Sequence, residues 1–413
     1  MLPVQQAEEI IFNAVHPFNS ERDREIVDLL TATGRILAQE ITSKLDFPHW
    51  DNSAMDGYAV RYTDVAETNA EKPVKLEIIE EISAGKTPQK SIQFGQAARI
   101  FTGAMMPEGA DTVIMQEVTQ REGNFVTILN SPKPQAFVRK KGTFSQAGTA
   151  LLSPGISIGG TEIAVLASAQ CTQIPVYRRP VVAILSTGDE LVTPEQPLKP
   201  GQLVDSNQYA LASLVSQTGA IPQMLGIIPD DRELLKNAIS QALESADIVI
   251  SSGGVSVGDY DFVDQILSSL GGEIQIRAVA VKPGKPLTFA RFNDSSKPSS
   301  ILYFGLPGNP VSSLVTFWRF VQPAIRKLSG ISQGWQPRFV LAKSQHSFKS
   351  DGKRESYFWG QLHLVNGEYE FSLAGGSQNS ANLINLAQTN GLAVLPVGET
   401  LVNVGDWVQV LQV

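Results

Sequence analysis

Lys282 and Lys285 flank a Pro-Gly pair, and the carboxylates Asp189, Glu190, Asp259 and Asp261 lie in the same central region of the chain, close behind hydroxyls at Ser186, Thr187 and Ser256. Lysine ammonium groups are natural partners of phosphate and other oxyanions. The carboxylates would repel an anion by about 4 kcal/mol per pair of unit charges at 4 Å in a surface-like dielectric. A divalent cation removes that conflict, so one reading is that carboxylates hold a metal bridging to phosphate while the lysines steady the far oxygens. The opposing reading makes the acids helix caps and the lysines a solvated turn. With four histidines and one cysteine, Cys171, the chain has no CxxC or HExxH zinc pattern. Any metal is expected to be a hard cation such as magnesium, held by oxygen.

These residues sit where strands give way to loops. In the stretch Asp247-Ile-Val-Ile-Ser-Ser-Gly-Gly-Val-Ser-Val-Gly-Asp-Tyr-Asp261, the apolar run suits a strand buried on both faces. Gly253, Gly254 and Gly258 allow sharp turning and close backbone approach, and Asp259 or Asp261 can cap the helix that follows. A glycine-rich loop feeding a helix N-terminus is an anion site, or else an ordinary capped turn. Similar units precede and follow it. A strand over 181–185 leads into Ser186-Thr-Gly-Asp-Glu190, with Asp205-Ser206 expected to cap the next helix. A strand over 224–228 leads into Pro229-Asp230-Asp231, and one over 301–304 into Gly305-Leu-Pro-Gly-Asn-Pro310, which includes Pro307, Gly308 and Asn309. Strands alternating with helices predict an α/β domain with a parallel sheet, whose ligands lie beyond the carboxyl ends of the strands.

On either side the pattern changes. Residues 51–143 read as a mostly β module inserted between two halves, 1–50 and 144–176, of a small linking domain; the α/β domain covers 177–328 and a terminal β domain 329–413. In the β module, Asp51-Asn-Ser-Ala-Met-Asp-Gly57 packs two carboxylates, an amide and a hydroxyl into one segment. Asp56 either turns the chain or reaches a cation or polar ligand, and Thr102 either sits in a plain turn or presents its hydroxyl. In the terminal domain, Gly375-Gly-Ser-Gln-Asn-Ser380 is a second small-residue loop before a short helix. It is either structural or closes over a ligand on another domain or subunit.

A chain of 413 residues, 42% hydrophobic and 18% charged, has ample core for several domains. Its net charge of -8 argues against non-specific binding to nucleic acid or to an anionic membrane. Neither a signal-peptide pattern nor a membrane-length apolar run is apparent, so a cytoplasmic location is expected.

Seven segments in order resemble the molybdopterin molybdenumtransferases, known as MoeA in bacteria and as the E domain of gephyrin in animals. They are Asp51-Asn-Ser-Ala-Met-Asp-Gly-Tyr-Ala59, Phe101-Thr-Gly-Ala104, Pro175-Val-Tyr-Arg-Arg-Pro180, Ser186-Thr-Gly-Asp-Glu190, Ser252-Gly-Gly-Val-Ser-Val-Gly258, Lys282-Pro-Gly-Lys-Pro286 and Gly305-Leu-Pro-Gly-Asn-Pro-Val311. The resemblance implies an elongated four-domain subunit with a C-terminal β-barrel-like domain, and a homodimer whose active site lies between subunits. It also implies insertion of molybdenum from molybdate into adenylylated molybdopterin, with magnesium and release of AMP. Asp56, Thr102, Glu190, Asp261, Lys282 and Lys285 are the implied catalytic residues, and Glu190, Asp259 and Asp261 the magnesium ligands. Ser186, Thr187, Gly188, Asp230, Gly253, Gly254, Ser256, Gly258, Arg277, Pro307, Gly308, Asn309, Pro310 and Ser380 would bind the pterin nucleotide. A molybdopterin adenylyltransferase and recipient molybdoenzymes are the implied protein partners. Where relatives commonly carry Gly-Glu-Asp, this chain has Gly142-Thr143-Phe144. Either that carboxylate is dispensable, another acid serves, or activity is altered. A non-catalytic cofactor scaffold and a molybdopterin adenylyltransferase are the rival readings.

Overall fold

The computed structural model describes residues 1–253, 260–293 and 300–413, with the side chains of 260–262 excepted. The chain forms two compact units: Met1–Gln39 with Pro154–Ala164 and Thr172–Val413, and Glu40–Ser153 with Val165–Cys171. Among the described residues, no helix is long and apolar enough to cross a membrane.

The first unit is built around a six-stranded sheet. Its strands are β1 (Val181–Thr187), β2 (Ile221–Ile228), β3 (Ile248–Ser252), β4 (Gly272–Ala278), β5 (Pro286–Phe292) and β6 (Ile301–Leu306), in the order β2-β1-β3-β6-β5-β4. β2, β1, β3 and β6 are parallel, while β6-β5 and β5-β4 pair antiparallel. The expected parallel sheet therefore needs correction at one edge. Only residues 279–285 connect β4 to β5, and a parallel crossover takes a dozen or more.

Period-two alternation divides the central strands between two cores. Val182, Ile184, Ile250 and Phe304 face α1 (Asn207–Gln217), α4 (Pro310–Thr316) and the N-terminal helix Val4–Ala14. Ala183, Leu185, Val249 and Tyr303 face α2 (Arg232–Ser245) and α3 (Tyr260–Ser269). Asp231 caps α2 through Glu233 N and Leu234 N, both at 2.9 Å. At α1, Ser206 makes no cap bond; Asp205 accepts from Gln208 N at 3.2 Å instead. The helix begun by α4 does not stop before Pro323 but widens into a π-helical turn, Phe317–Val321, and continues as Gln322–Leu328. Proline lacks an N–H and crowds the carbonyl four residues back, and a wider turn accommodates both.

The C-terminal part of the same unit is a closed five-stranded barrel. Its strands β7 (Phe339–Ser344), β8 (Glu355–Val365), β9 (Glu368–Leu373), β10 (Gly391–Leu395) and β11 (Trp407–Gln412) run β8-β9-β7-β11-β10 and back to β8. Closure removes the exposed edges of so small a sheet. Phe371, Leu395 and Val410 fill the interior, while Tyr357 and Trp359 of β8 join the α/β core. Val281–Lys282 pairs in parallel with Glu355–Ser356 of β8, so a strand of the α/β segment enters the barrel's ladder. Beneath this junction lies the buried Arg319. Its Nε donates to the Tyr357 hydroxyl at 2.7 Å, its Nη1 bonds Glu8, and Glu355 is 3.9 Å away. Burial alone would lower the Arg319 pKa, but Tyr357, Glu8 and Glu355 outweigh it and raise the value. Burial pushes the Tyr357 phenol well above its ordinary value.

The second unit contains a mixed six-stranded sheet. In spatial order its strands are Thr112–Met115, Gly57–Val60, Gln96–Ile100, Val74–Ile82, Phe125–Ile128 and Thr119–Glu122. Tyr58 and Val60 pack on one side of it and Ala59 and Ile100 on the other.

Candidate functional site

The carboxyl ends of the four parallel strands bring several candidate residues together. β1 delivers Ser186 and Thr187, both buried, and then Gly188 at φ +146°. A Cβ on Gly188 would lie 2.5 Å from the Glu190 carboxylate, so glycine is what lets that acid fold back over the loop. β2 delivers Asp230, whose N–H donates to Asp189 Oδ1 at 3.1 Å. β3 ends at Gly253, φ +92°, where a Cβ would lie 2.4 Å from the Thr187 carbonyl oxygen. β6 leads into the Pro307–Pro310 turn, and Gly308 comes so near Gly253 that its Cβ would be 3.5 Å from the Gly253 Cα.

Asn207 locks these loops together. Its buried Nδ2 donates to Ser252 Oγ at 2.7 Å and to the Gly308 carbonyl at 2.8 Å. The Ser186 and Thr187 hydroxyl oxygens and Asn207 Oδ1 are buried and lack hydrogen-bond partners among the described residues. Buried polar atoms in such a position want a ligand or water. Gly254, Ser256, Gly258 and Asp259 lie outside the described residues, as does the side chain of Asp261, which belongs to the first turn of α3. Arg277 stands near the end of β4, with its guanidinium held by Asp264 at 2.5 Å.

A second cluster lies between the α/β segment and the barrel. A cavity of about 460 Å³ is lined by Lys282 and Lys285, by Lys349 and Arg354 from the start of the barrel, and by Ser312, Ser350, Ser356, Trp359 and Ser380. Among the described residues, four cations and no carboxylate line it. Gly284 permits the close packing of the Lys282–Lys285 turn, since a Cβ there would meet Thr316 Oγ1 at 2.6 Å. Asp351, which does not line the cavity, pairs with Lys282 at 3.1 Å. Bonding to the Lys353 N–H and then to Lys282 lowers its pKa below the ordinary value. Ser380 connects this cavity to the strand-end loops: its carbonyl accepts from Val311 N at 3.2 Å and its hydroxyl from Asn309 Nδ2 at 3.5 Å. A pocket with this lining suits a small oxyanion.

Asn207, Lys349, Arg354 and Trp359 escape the reading of the sequence. Lys349 and Arg354 flank the turn Ser350-Asp-Gly-Lys353, and this basic run was the available signal. Asn207 is the first residue of α1, where no local pattern marks its role.

In the second unit, Asp56 and Thr102 meet directly. Asp56 Oδ1 accepts from Thr102 N at 2.7 Å and from its hydroxyl at 2.8 Å. The backbone bond first, then the hydroxyl, holds the Asp56 pKa below the ordinary value. Buried Arg99, stacked between Tyr58 and Phe101, adds to the lowering. Phe144 is 70% exposed. The acids beside that loop are already engaged: Asp46 with Lys141 at 3.3 Å and Asp51 with Lys140 at 3.0 Å.

With this geometry established, three family descriptions match the chain in order. Residues 2–169 match the MoeA N-terminal region (domain I and II), residues 183–327 a probable molybdopterin binding domain, and residues 342–413 the MoeA C-terminal region (domain IV). A molybdopterin molybdenumtransferase of Nostoc sp. is 61% identical over 412 residues, covering 100% of this chain and 94% of the relative. That of Haemophilus influenzae is 35% identical, covering 99% and 98%. A crystal structure of a molybdopterin biosynthesis MoeA protein from Pyrococcus horikoshii superposes with a TM-score of 0.81 at 30% identity, covering 100% of this chain and 99% of that one.

Proposed function

The chain belongs to the MoeA family of molybdopterin molybdenumtransferases, and from that premise we propose that it catalyses the last step of molybdenum cofactor synthesis. It is a transferase that inserts molybdenum from molybdate into adenylylated molybdopterin, forming molybdenum cofactor and releasing AMP. Full-length similarity to the Nostoc enzyme carries this conclusion. The four-cation cavity supports it, because one substrate, molybdate, is a small tetrahedral dianion.

In this reading the strand-end loops hold the nucleotide part of the substrate. The unpartnered hydroxyls of Ser186 and Thr187 and the backbone around Gly253 and Gly308 meet its phosphates. Lys282, Lys285, Lys349 and Arg354 take molybdate, and Ser380 links the two places. As the phosphoanhydride is cleaved, Lys282 and Lys285 steady the anionic oxygens. Glu190, with Asp259 and Asp261, is an all-oxygen donor set suited to magnesium, which would neutralise phosphate charge when bound. Asp56 and Thr102 are further catalytic candidates, the Asp56 carboxylate being held in one orientation by both Thr102 bonds. We further read the chain as the four domains outlined from its sequence, acting in the cytoplasm as a homodimer. Incubation with adenylylated molybdopterin, molybdate and magnesium should yield AMP and active cofactor. Absence of both products would sink the proposal.

A further inference from the structure

Arg99 lies on the strand Gln96–Ile100 of the second unit and is only 8% exposed. Among the described residues its guanidinium bonds neutral acceptors only: Nη1 donates to the Gly57 carbonyl at 3.2 Å and Nη2 to the Gln116 amide oxygen. A buried cation without a carboxylate partner is costly, and stacking on the rings of Tyr58 and Phe101, at 5.1 and 4.9 Å, offsets part of that cost. Every one of these contacts falls on a segment that carries or holds Asp56. Gly57 and Tyr58 follow it in the chain, and Gln116 donates its N–H to the Asp56 carbonyl at 3.1 Å. Phe101 precedes Thr102, whose N–H and hydroxyl both bond Asp56 Oδ1.

We propose that Arg99 is the positioning residue for Asp56, its guanidinium tying the Asp56–Tyr58, Phe101–Thr102 and Gln116 segments together so that the carboxylate meets substrate in one orientation. The inference rests on the reading of Asp56 as catalytic. Arg99 is buried and acts through Asp56, not on the substrate. Both Thr102 bonds fall on Oδ1, so Oδ2 is the oxygen offered to the ligand. After those bonds, the Arg99 charge is a further cause of the low Asp56 pKa. The other acids of the neighbouring segments are engaged elsewhere: Asp51 by Lys140, Glu117 by the Gln116 amide, and Glu81, opposite Arg99 on the adjacent strand, by Arg121. Lysine at position 99 would keep the charge but lack the planar fork that reaches two acceptors at once. Glutamine would remove the charge.

The test compares full-length wild type with Arg99→Gln, Arg99→Lys and Asp56→Asn in turnover of adenylylated molybdopterin, molybdate and magnesium, with the Asp56 carboxyl titrated by NMR. Misplacing one catalytic group predicts a kcat about ten- to hundredfold lower in Arg99→Gln, with KM for the nucleotide substrate little changed. The Asp56 titration is expected to move upward in that variant, and the acid limb of kcat against pH to follow it. Arg99→Lys should restore most of the titration and only part of kcat. If Arg99→Gln does not fold, Gln116→Leu replaces it under the same criteria, since it removes one acceptor and keeps the Gln116 N–H bond to Asp56. A folded variant that loses kcat while the Asp56 titration stays in place makes Arg99 a structural residue and overturns the proposal. So does full activity in Arg99→Gln beside an inactive Asp56→Asn. Full activity in Asp56→Asn instead refutes the catalytic reading of Asp56 on which the proposal rests.

Discussion

Replacing Asn207 by alanine tests whether one buried amide holds the candidate site in shape. The side chain is 8% exposed, and its Nδ2 donates at 2.7 Å to Ser252 at the end of β3 and at 2.8 Å to Gly308 in the turn after β6. Each neutral hydrogen bond is worth about 1 kcal/mol net, and each partner left buried and unpaired adds a further cost. The sum for two bonds is about 2–4 kcal/mol. If the α/β segment unfolds as a unit of roughly 150 residues, each kcal/mol lowers its melting temperature by about 2–4 °C, so a fall of about 4–16 °C is expected. Calorimetric scans of wild type and variant provide the measurement. Asn207→Asp sharpens the test, since it keeps the shape but sets a carboxylate against the Gly308 carbonyl. It should be at least as damaging as alanine. An alanine variant melting within 1–2 °C of wild type, or a neutral aspartate variant, would refute the locking role.

Gly253→Ala should cost more than about 1 kcal/mol, because the position needs positive φ and the new Cβ would overlap the Thr187 carbonyl; its melting temperature and its KM for the nucleotide substrate should both show it. The Asp56 carboxyl, with its pKa depressed in the folded protein, stabilises the fold above the unfolded value near 3.9, and that contribution is lost as pH falls through the folded pKa. A carboxyl NMR titration should find Asp56 below about 3.9, with Thr102→Val moving it upward; a wild-type value at or above 3.9 would contradict the geometry. Asp351→Asn releases Lys282 toward the cavity and should tighten molybdate binding severalfold, with less gain at high salt. Weaker binding in calorimetry would show that Asp351 assists the anion rather than competing with it.

Much of the strand-end site was legible because its parts are local. β-branched runs followed by glycine, serine and aspartate mark strand exits, and the parallel order of β2, β1, β3 and β6 brings those exits side by side. The cavity was less so. Lys282 and Lys285 stand out in sequence, but Lys349 and Arg354 join them only through the pairing of Val281–Lys282 with β8, a contact across more than seventy residues that no local pattern encodes. Asn207 was missed for a related reason. Its two partners lie on separate segments, and a polar residue in a first helical turn ordinarily signals capping. The antiparallel edge was legible in principle, because the short 279–285 connection forbids a crossover.

The ladder between Val281–Lys282 and Glu355–Ser356 also bears on how the cavity meets its ligand. Two of its cations belong to one side of that main-chain junction and two to the other, and Arg354 adds a bond to the Val281 carbonyl at 3.2 Å. The backbone spacing among the four is thus set when the barrel closes during folding, not when an anion arrives. Preorganisation of this kind strengthens binding without adding a contact, since less ordering remains to be done at the moment of capture. It also makes the barrel indispensable to the charge: an α/β segment cut free of it would keep Lys282 and Lys285 and lose Lys349 and Arg354.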